Sequence, residues 1–290
     1  MKICRFDDNR LGLVEGNEVR DVTAALEVLP SHRYPLPTVD PMIANLGRLR
    51  QEIRRIAPSA PTLPLAGRRL LAPVANPGKV IAAPVNYRKH LEEAREDATI
   101  HFNNQVAEIQ QIGLFLKANS SIVGAGHGVE IQHPDCRNDH EAELVLVIGK
   151  AGRNIPRERA FEHIAAYSGG LDMTVRGPQE RSMRKSIDSY TVVGPWIVTA
   201  DELKDPQALD FWLTVNGEPR QRANTRDLVL DIPTLIETAS SYYTLQPGDL
   251  LFTGTPEGVA RVVDGDAIVV EFEGIGRMEV DVRNATRSYA

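Results

Sequence analysis

The chain of 290 residues is 42% hydrophobic, with 39 acidic against 33 basic side chains and a formal net charge of −6. That length can bury a proper core in one large domain or two unequal ones, while the acidic balance excludes a nucleic-acid binder, which needs a concentrated cationic face. The two cysteines, Cys4 and Cys136, stand far apart without any C-x-x-C spacing, so neither a disulfide framework nor a thiolate zinc site is expected and a reducing cytoplasm fits. With no apolar signal region and no run long enough to cross a bilayer, secretion and membrane anchoring are not expected.

Residues 2–23 alternate short apolar stretches with turn residues, and Gly16-Asn17 suits a tight hairpin, which predicts a small antiparallel sheet. A helix follows: Asp40 can cap it, Pro41 suits its first turn, and Met42, Leu46, Leu49, Ile53 and Ile56 recur along one face. Pro58 to Pro64 is Pro-rich and aperiodic, which sets a boundary near residue 70 between a small N-terminal α+β domain (1–70) and a larger domain (71–290). Beyond it, Lys79 to Pro84 reads as a strand and Asn86 to Glu93 as a loop turning into a helix. On that helix His90 and Glu93 are neighbours at i,i+3. A carboxylate beside an imidazole fixes its tautomer and raises its basicity, as a general base requires, although a surface ion pair has the same spacing. Residues 94–112 are polar with few structural signals, which suits a lid or a plain surface loop.

The stretch from Asp139 to Gly149 organises the rest. Its apolar half reads as a buried strand, and alternation puts Glu141 and Glu143 on one face, roughly 7 Å apart at Cα, with His140 on the other. Two such carboxylates repel each other, and a hard divalent cation is the usual remedy; an isolated E-x-E on a solvated face is the alternative. Pro156 to Tyr167 reads as helical with His163 at the surface, and Gly169-Gly170-Leu171-Asp172 as a loop bringing a third acid, Asp172, to the metal. Arg176, Gln179, Lys185 and Asp188 follow in a polar loop ending at Gly194-Pro195-Trp196, where cationic and amide groups suit an anionic, oxygen-rich substrate, or form an ordinary charged loop. Asn216-Gly217 predicts a hairpin, Asp231 a helix cap, and Pro247-Gly248-Asp249 a turn into a strand that ends at Gly254-Thr255-Pro256.

Taken in order, these pieces resemble the fumarylacetoacetate hydrolase family. The resemblance runs through Pro77-Gly78-Lys79, Asn86 to His90, Asp139 to Leu144, Asp172 with Arg176 and Gln179, Lys185 to Asp188, Gly194-Pro195-Trp196, Val215 to Glu218, and Thr253 to Val259. It implies an α+β, mainly β protein whose catalytic domain is a mixed β-sandwich roll, usually assembled as a homodimer. It implies that Glu141, Glu143 and Asp172 hold Mg²⁺, with Mn²⁺ or Ca²⁺ as substitutes, and that the His90–Glu93 dyad activates water. Arg176, Gln179 and Thr255 then match substrate-binding positions and Lys185 a lysine that assists developing negative charge. The chain departs from the family pattern at Gly177, at Ala118 and in a shorter Ala260 to Asp266 segment. The activity implied is cleavage of a carbon–carbon bond in a small anionic diketo acid of the acylpyruvate or fumarylacetoacetate type. The alternatives are an oxaloacetate-type decarboxylase, a lyase or isomerase of aromatic catabolism, and a non-catalytic binding protein.

Overall fold

The amino-terminal alternation folds as a meander of β1 (Lys2–Phe6), β2 (Arg10–Glu15) and β3 (Glu18–Asp21). Glu15 pairs with Glu18 across a two-residue turn in which Gly16 has φ +59°, a conformation that a side chain would strain. The structure is a computed structural model and describes residues 1–102 and 105–286. The single helix expected next is two, α1 (Pro41–Ala44) and α2 (Leu46–Ile56). Asp40 caps the first, accepting from the Ile43 N–H at 3.0 Å. The break falls at Asn45, whose side-chain amide donates to the Pro41 carbonyl at 2.8 Å and competes with the helical ladder. Nor is the Pro-rich connection wholly irregular: β4 (Thr62–Pro64) adds to β3, and β5 (Leu70–Leu71) pairs with β1.

The chain continues through β6 (Val80–Ala82), α3 (Arg88–Glu96), α4 (Ala98–His101), α5 (Ile109–Ile112), β7 (Phe115–Lys117), β8 (Ile122–Val123), β9 (Val129–Ile131), β10 (Asn138–Asp139) and β11 (Ala142–Ile148). It then forms β12 (Ile164–Asp172), β13 (Thr174–Val175), α6 (Arg181–Lys185), β14 (Thr191–Thr199), β15 (Asp210–Val215), β16 (Glu218–Asn224), α7 (Ile232–Tyr242), β17 (Leu250–Phe252), β18 (Ala267–Phe272) and β19 (Gly276–Asn284). The helical turns of α4 and α5 replace part of the irregular segment expected over 94–112; Asn103 and Asn104 lie outside the described residues.

One large sheet has the order β4-β3-β2-β1-β14-β12-β11-β17-β6-β7, and a second has the order β16-β15-β18-β19-β9. The sheet crosses the boundary expected near residue 70, because β1 pairs with β14 at Lys2↔Val198 and Ile3↔Ile197. Its central strand β11 is buried throughout. Leu144, Leu146 and Ile148 join the core that contains Phe211 and Phe272 of the second sheet, while Val145 and Val147 join the core that contains Leu49 and Ile53 of α2. Cover on both faces explains why this strand reads as an unbroken apolar run. The result is an α+β, mainly β sandwich.

Several expectations are corrected around the centre of the sheet. The helical reading of Pro156 to Tyr167 holds only for a 3₁₀ stretch over Arg157–His163; His163 is buried, with Nδ1 2.9 Å from the Lys150 carbonyl, and the chain from Ile164 is strand. Gly169 and Gly170 are therefore not a loop. A Cβ on Gly169 would stand 2.9 Å from the Phe272 ring, and one on Gly170 2.6 Å from both Phe252 and Val145, so glycine is what lets β12 pack this closely. Gly194-Pro195-Trp196 likewise lies inside β14 and ends no loop. It faces the register shift between Tyr167 and Gly169, where the Ser168 hydroxyl donates to the Trp196 carbonyl at 2.9 Å.

Candidate active site

Antiparallel pairing of β11 with β12 sets Glu143 opposite Gly170, and just beyond the last pair the Asp172 N–H donates to the Glu141 carbonyl at 2.9 Å. Strand alternation brings Glu141 and Glu143 to one face, as their spacing predicts. The oxygens of Glu141, Glu143 and Asp172 lie within 4.8 Å of one another, and all three side chains are buried. The solvated alternative for E-x-E is thereby excluded.

The three carboxylates are balanced unequally. Glu141 Oε1 accepts from Arg176 Nη2 at 3.0 Å, and Oε2 from Lys185 Nζ at 2.6 Å. Burial opposes its ionisation, but Lys185 and then Arg176 overcome that and hold the carboxyl well below the usual range. Asp172 accepts from Lys185 Nζ at 2.7 Å and pairs with the buried Lys117 ammonium, which also donates to the Tyr190 carbonyl at 3.0 Å. Glu143 accepts the Gly254 N–H at 2.6 Å. Burial, followed by the charge of Asp172, raises its carboxyl well above the usual range. Such a site is short of positive charge at Glu143, and its all-oxygen donors fit a hard divalent cation.

On α3, His90 Nδ1 lies 2.8 Å from Glu93 Oε2, and Glu93 Oε1 accepts the Gly258 N–H at 3.0 Å. His90, Glu141, Glu143, Asp172, Arg176, Lys185 and Thr255 line one cavity of about 110 Å³. Gln179 is not brought there; it is exposed, and its backbone carbonyl accepts from Arg184 Nε at 2.9 Å. Asp188 is exposed as well.

Several residues of the site are not singled out by the sequence reading. Asp139 accepts from Arg137 Nε and Arg176 Nε, each at 2.8 Å, and so orients Arg176. Gln221 on β16 donates to Thr255 Oγ1 at 2.8 Å and accepts the Ala142 N–H at 3.0 Å, with its Oε1 3.2 Å from His140 Nδ1. Burial pushes His140 down to about 4, so it is neutral near pH 7. Lys117, Arg181 and Arg184 complete the set. For Lys117 a hint existed, since alternation in Phe115-Leu116-Lys117 turns the lysine to the same side as the buried phenylalanine.

A buried acidic triad beside a His–Glu dyad, set in a mixed β-sandwich, defines a metal-dependent hydrolytic site. The chain belongs to the fumarylacetoacetate hydrolase family: the model for the fumarylacetoacetate (FAA) hydrolase C-terminal region matches residues 79–283. It is 57% identical over 288 residues to the maleylpyruvate hydrolase of Aquipseudomonas alcaligenes, covering 98% of this chain and 100% of that protein. The crystal structure of maleylpyruvate hydrolase from Sphingobium sp. SYK-6, in complex with manganese (II) ion and pyruvate, superposes with a TM-score of 0.84 at 42% identity, over 99% of this chain and 100% of that one. A 5-carboxymethyl-2-hydroxymuconate delta-isomerase from Mycobacterium smegmatis is more distant, with a TM-score of 0.71 at 31% identity over 99% and 100% of the two chains. Among the described residues no helix is long and apolar enough to cross a membrane.

Proposed function

We propose that this chain is a catabolic, divalent-metal-dependent hydrolase that cleaves a carbon–carbon bond in an acylpyruvate-type diketo acid, with maleylpyruvate the first substrate to test. The observation that carries this reading is the presence, in one cleft, of three clustered carboxylates and a histidine held by a glutamate. A divalent cation on Glu141, Glu143 and Asp172 supplies Lewis acidity toward a 2-oxo carboxylate. The remaining chemistry belongs to the chain. With Glu93 on Nδ1, the imidazole of His90 keeps its lone pair on Nε2 and can take a proton from water. Lys185 donates to Glu141, Asp172 and Thr174, so it aligns the carboxylates while its charge favours an oxyanion formed beside them. Arg176 and Thr255, oriented by Asp139 and Gln221, are proposed substrate contacts.

Loss of CO₂ from a 2-oxo acid needs no water-activating base, so the His90–Glu93 pair favours hydrolysis over decarboxylation. Retention of the triad and the dyad together speaks against a non-catalytic binding protein. Mg²⁺ is the proposed physiological ion; Mn²⁺ and Ca²⁺ fit the same donors. A cytoplasmic location is supported by the free thiols of Cys4 and Cys136. A homodimer is supported by the exposed apolar side chains Leu116, on edge strand β7, and Met183 on α6. The test is to strip the protein with EDTA, restore Mg²⁺, Mn²⁺ or Ca²⁺ singly, and assay maleylpyruvate. Activity should disappear and return with Mg²⁺ or Mn²⁺; activity indifferent to EDTA would refute the reading.

A further inference from the structure

Around the carboxylates, buried cations are matched with acids: Lys117 with Asp172, Lys185 with Glu141 and Asp172, and Arg176 with Asp139 and Glu141. Two guanidinium groups on the same cavity are not. Arg181 and Arg184 both line it, and among the described residues neither makes a salt bridge. Among the described residues Arg184 donates only to the backbone carbonyls of Gln179 and Val175, at 2.9 and 3.3 Å. The Arg181 guanidinium lies 5.6 Å from the centroid of the Phe115 ring and donates to no protein atom among the described residues. The nearest acid in sequence, Glu180, puts its carboxylate on the Ser182 N–H at 2.6 Å and reaches both arginines only at longer range.

Helical spacing explains the arrangement. Arg181, Arg184 and Lys185 stand at i, i+3 and i+4 on α6, so one face of this short helix presents all three. Lys185 ends on the metal-binding acids, which leaves the arginines as free positive charge on the same cavity. A half-buried cation without an acidic partner is stabilised by an anionic ligand, and the planar guanidinium fork matches a carboxylate.

We propose that Arg181 and Arg184 bind a second, distal carboxylate of the substrate, which makes the enzyme selective for dicarboxylic over monocarboxylic acylpyruvates. This rests on the hydrolase reading and names its substrate class. Holding the substrate at both ends fixes the bond to be cleaved relative to His90.

The experiment compares kcat/KM for maleylpyruvate and for acetylpyruvate, which shares the diketo acid head and lacks the distal carboxylate, in wild type, Arg181→Gln, Arg181→Lys and Arg184→Gln. Arg181→Gln is the cleaner variant because it breaks no hydrogen bond to the protein. The preference for maleylpyruvate should fall by about 10- to 100-fold in Arg181→Gln, chiefly through KM, and recover in part in Arg181→Lys. Equal losses on the two substrates, or no preference in wild type, overturn the proposal. A wild type that hydrolyses neither compound overturns the hydrolase reading instead. Titration with maleate then decides the arginines: binding at least tenfold weaker in Arg181→Gln keeps them as a carboxylate site, and equal or undetectable binding in both proteins removes it.

Discussion

Glu141 and Glu143 are two positions apart on one strand face, yet their electrostatic states are opposite. Glu141 is ion-paired with Arg176 and Lys185, whereas Glu143 faces Asp172, accepts the Gly254 N–H and, among the described residues, makes no ion pair of its own. Replacing Glu143 by its neutral isostere should therefore relieve repulsion in the metal-free protein, by about 1–2 kcal/mol, while removing a ligand. We expect Glu143→Gln, stripped of metal, to melt a few degrees higher than stripped wild type and to gain nothing from added Mn²⁺, which should raise the wild-type Tm. A variant that melts lower and responds to Mn²⁺ like wild type would contradict this assignment. The acids of the site were legible at this scale because carboxylates beside an apolar strand demand an explanation. Lys117, Asp139 and Gln221 were less so, since each acts through a partner brought to it by the fold: Asp172, Arg176 and Thr255 respectively.

At the scale of elements, local signals succeeded where a cap or turn decides the backbone. Asp40, Asp231 and the Asn216-Gly217 hairpin act as expected, with Asp231 accepting the Thr234 N–H at 2.9 Å. They misled at β12, where two consecutive glycines read as a break although their function is close packing of a strand between its neighbours. Gly169→Ala tests that account. Its added methyl must displace the buried Phe272 ring, so the variant should lose about 1–3 kcal/mol and melt several degrees lower. A Tm equal to that of wild type would show that the ring can yield and that glycine is not required there.

For the whole molecule, the spatial order of strands is the part that chain order conceals. β17 enters the sheet between β11 and β6, both far earlier in the chain, and residues 1–70 extend the same sheet through β1. This convergence builds the site: Glu141 just before β11, Glu143 on β11 and Asp172 at the end of β12 are the acids, the turn after β17 supplies the Gly254 N–H and Thr255, and α3 supplies His90 and Glu93. Residues as far apart in the chain as His90 and Thr255 thus line one cleft. In the proposed reaction the dyad in this cleft activates water. Its most direct test measures maleylpyruvate hydrolysis and oxaloacetate decarboxylation side by side, with the same divalent ion, for wild type, His90→Ala and Glu93→Gln. Wild type should hydrolyse the acylpyruvate, and His90→Ala should lose on the order of 10²-fold or more of that rate while still binding the metal. Hydrolysis undiminished in both variants, or a wild type active on oxaloacetate and inert toward acylpyruvates, would contradict the account.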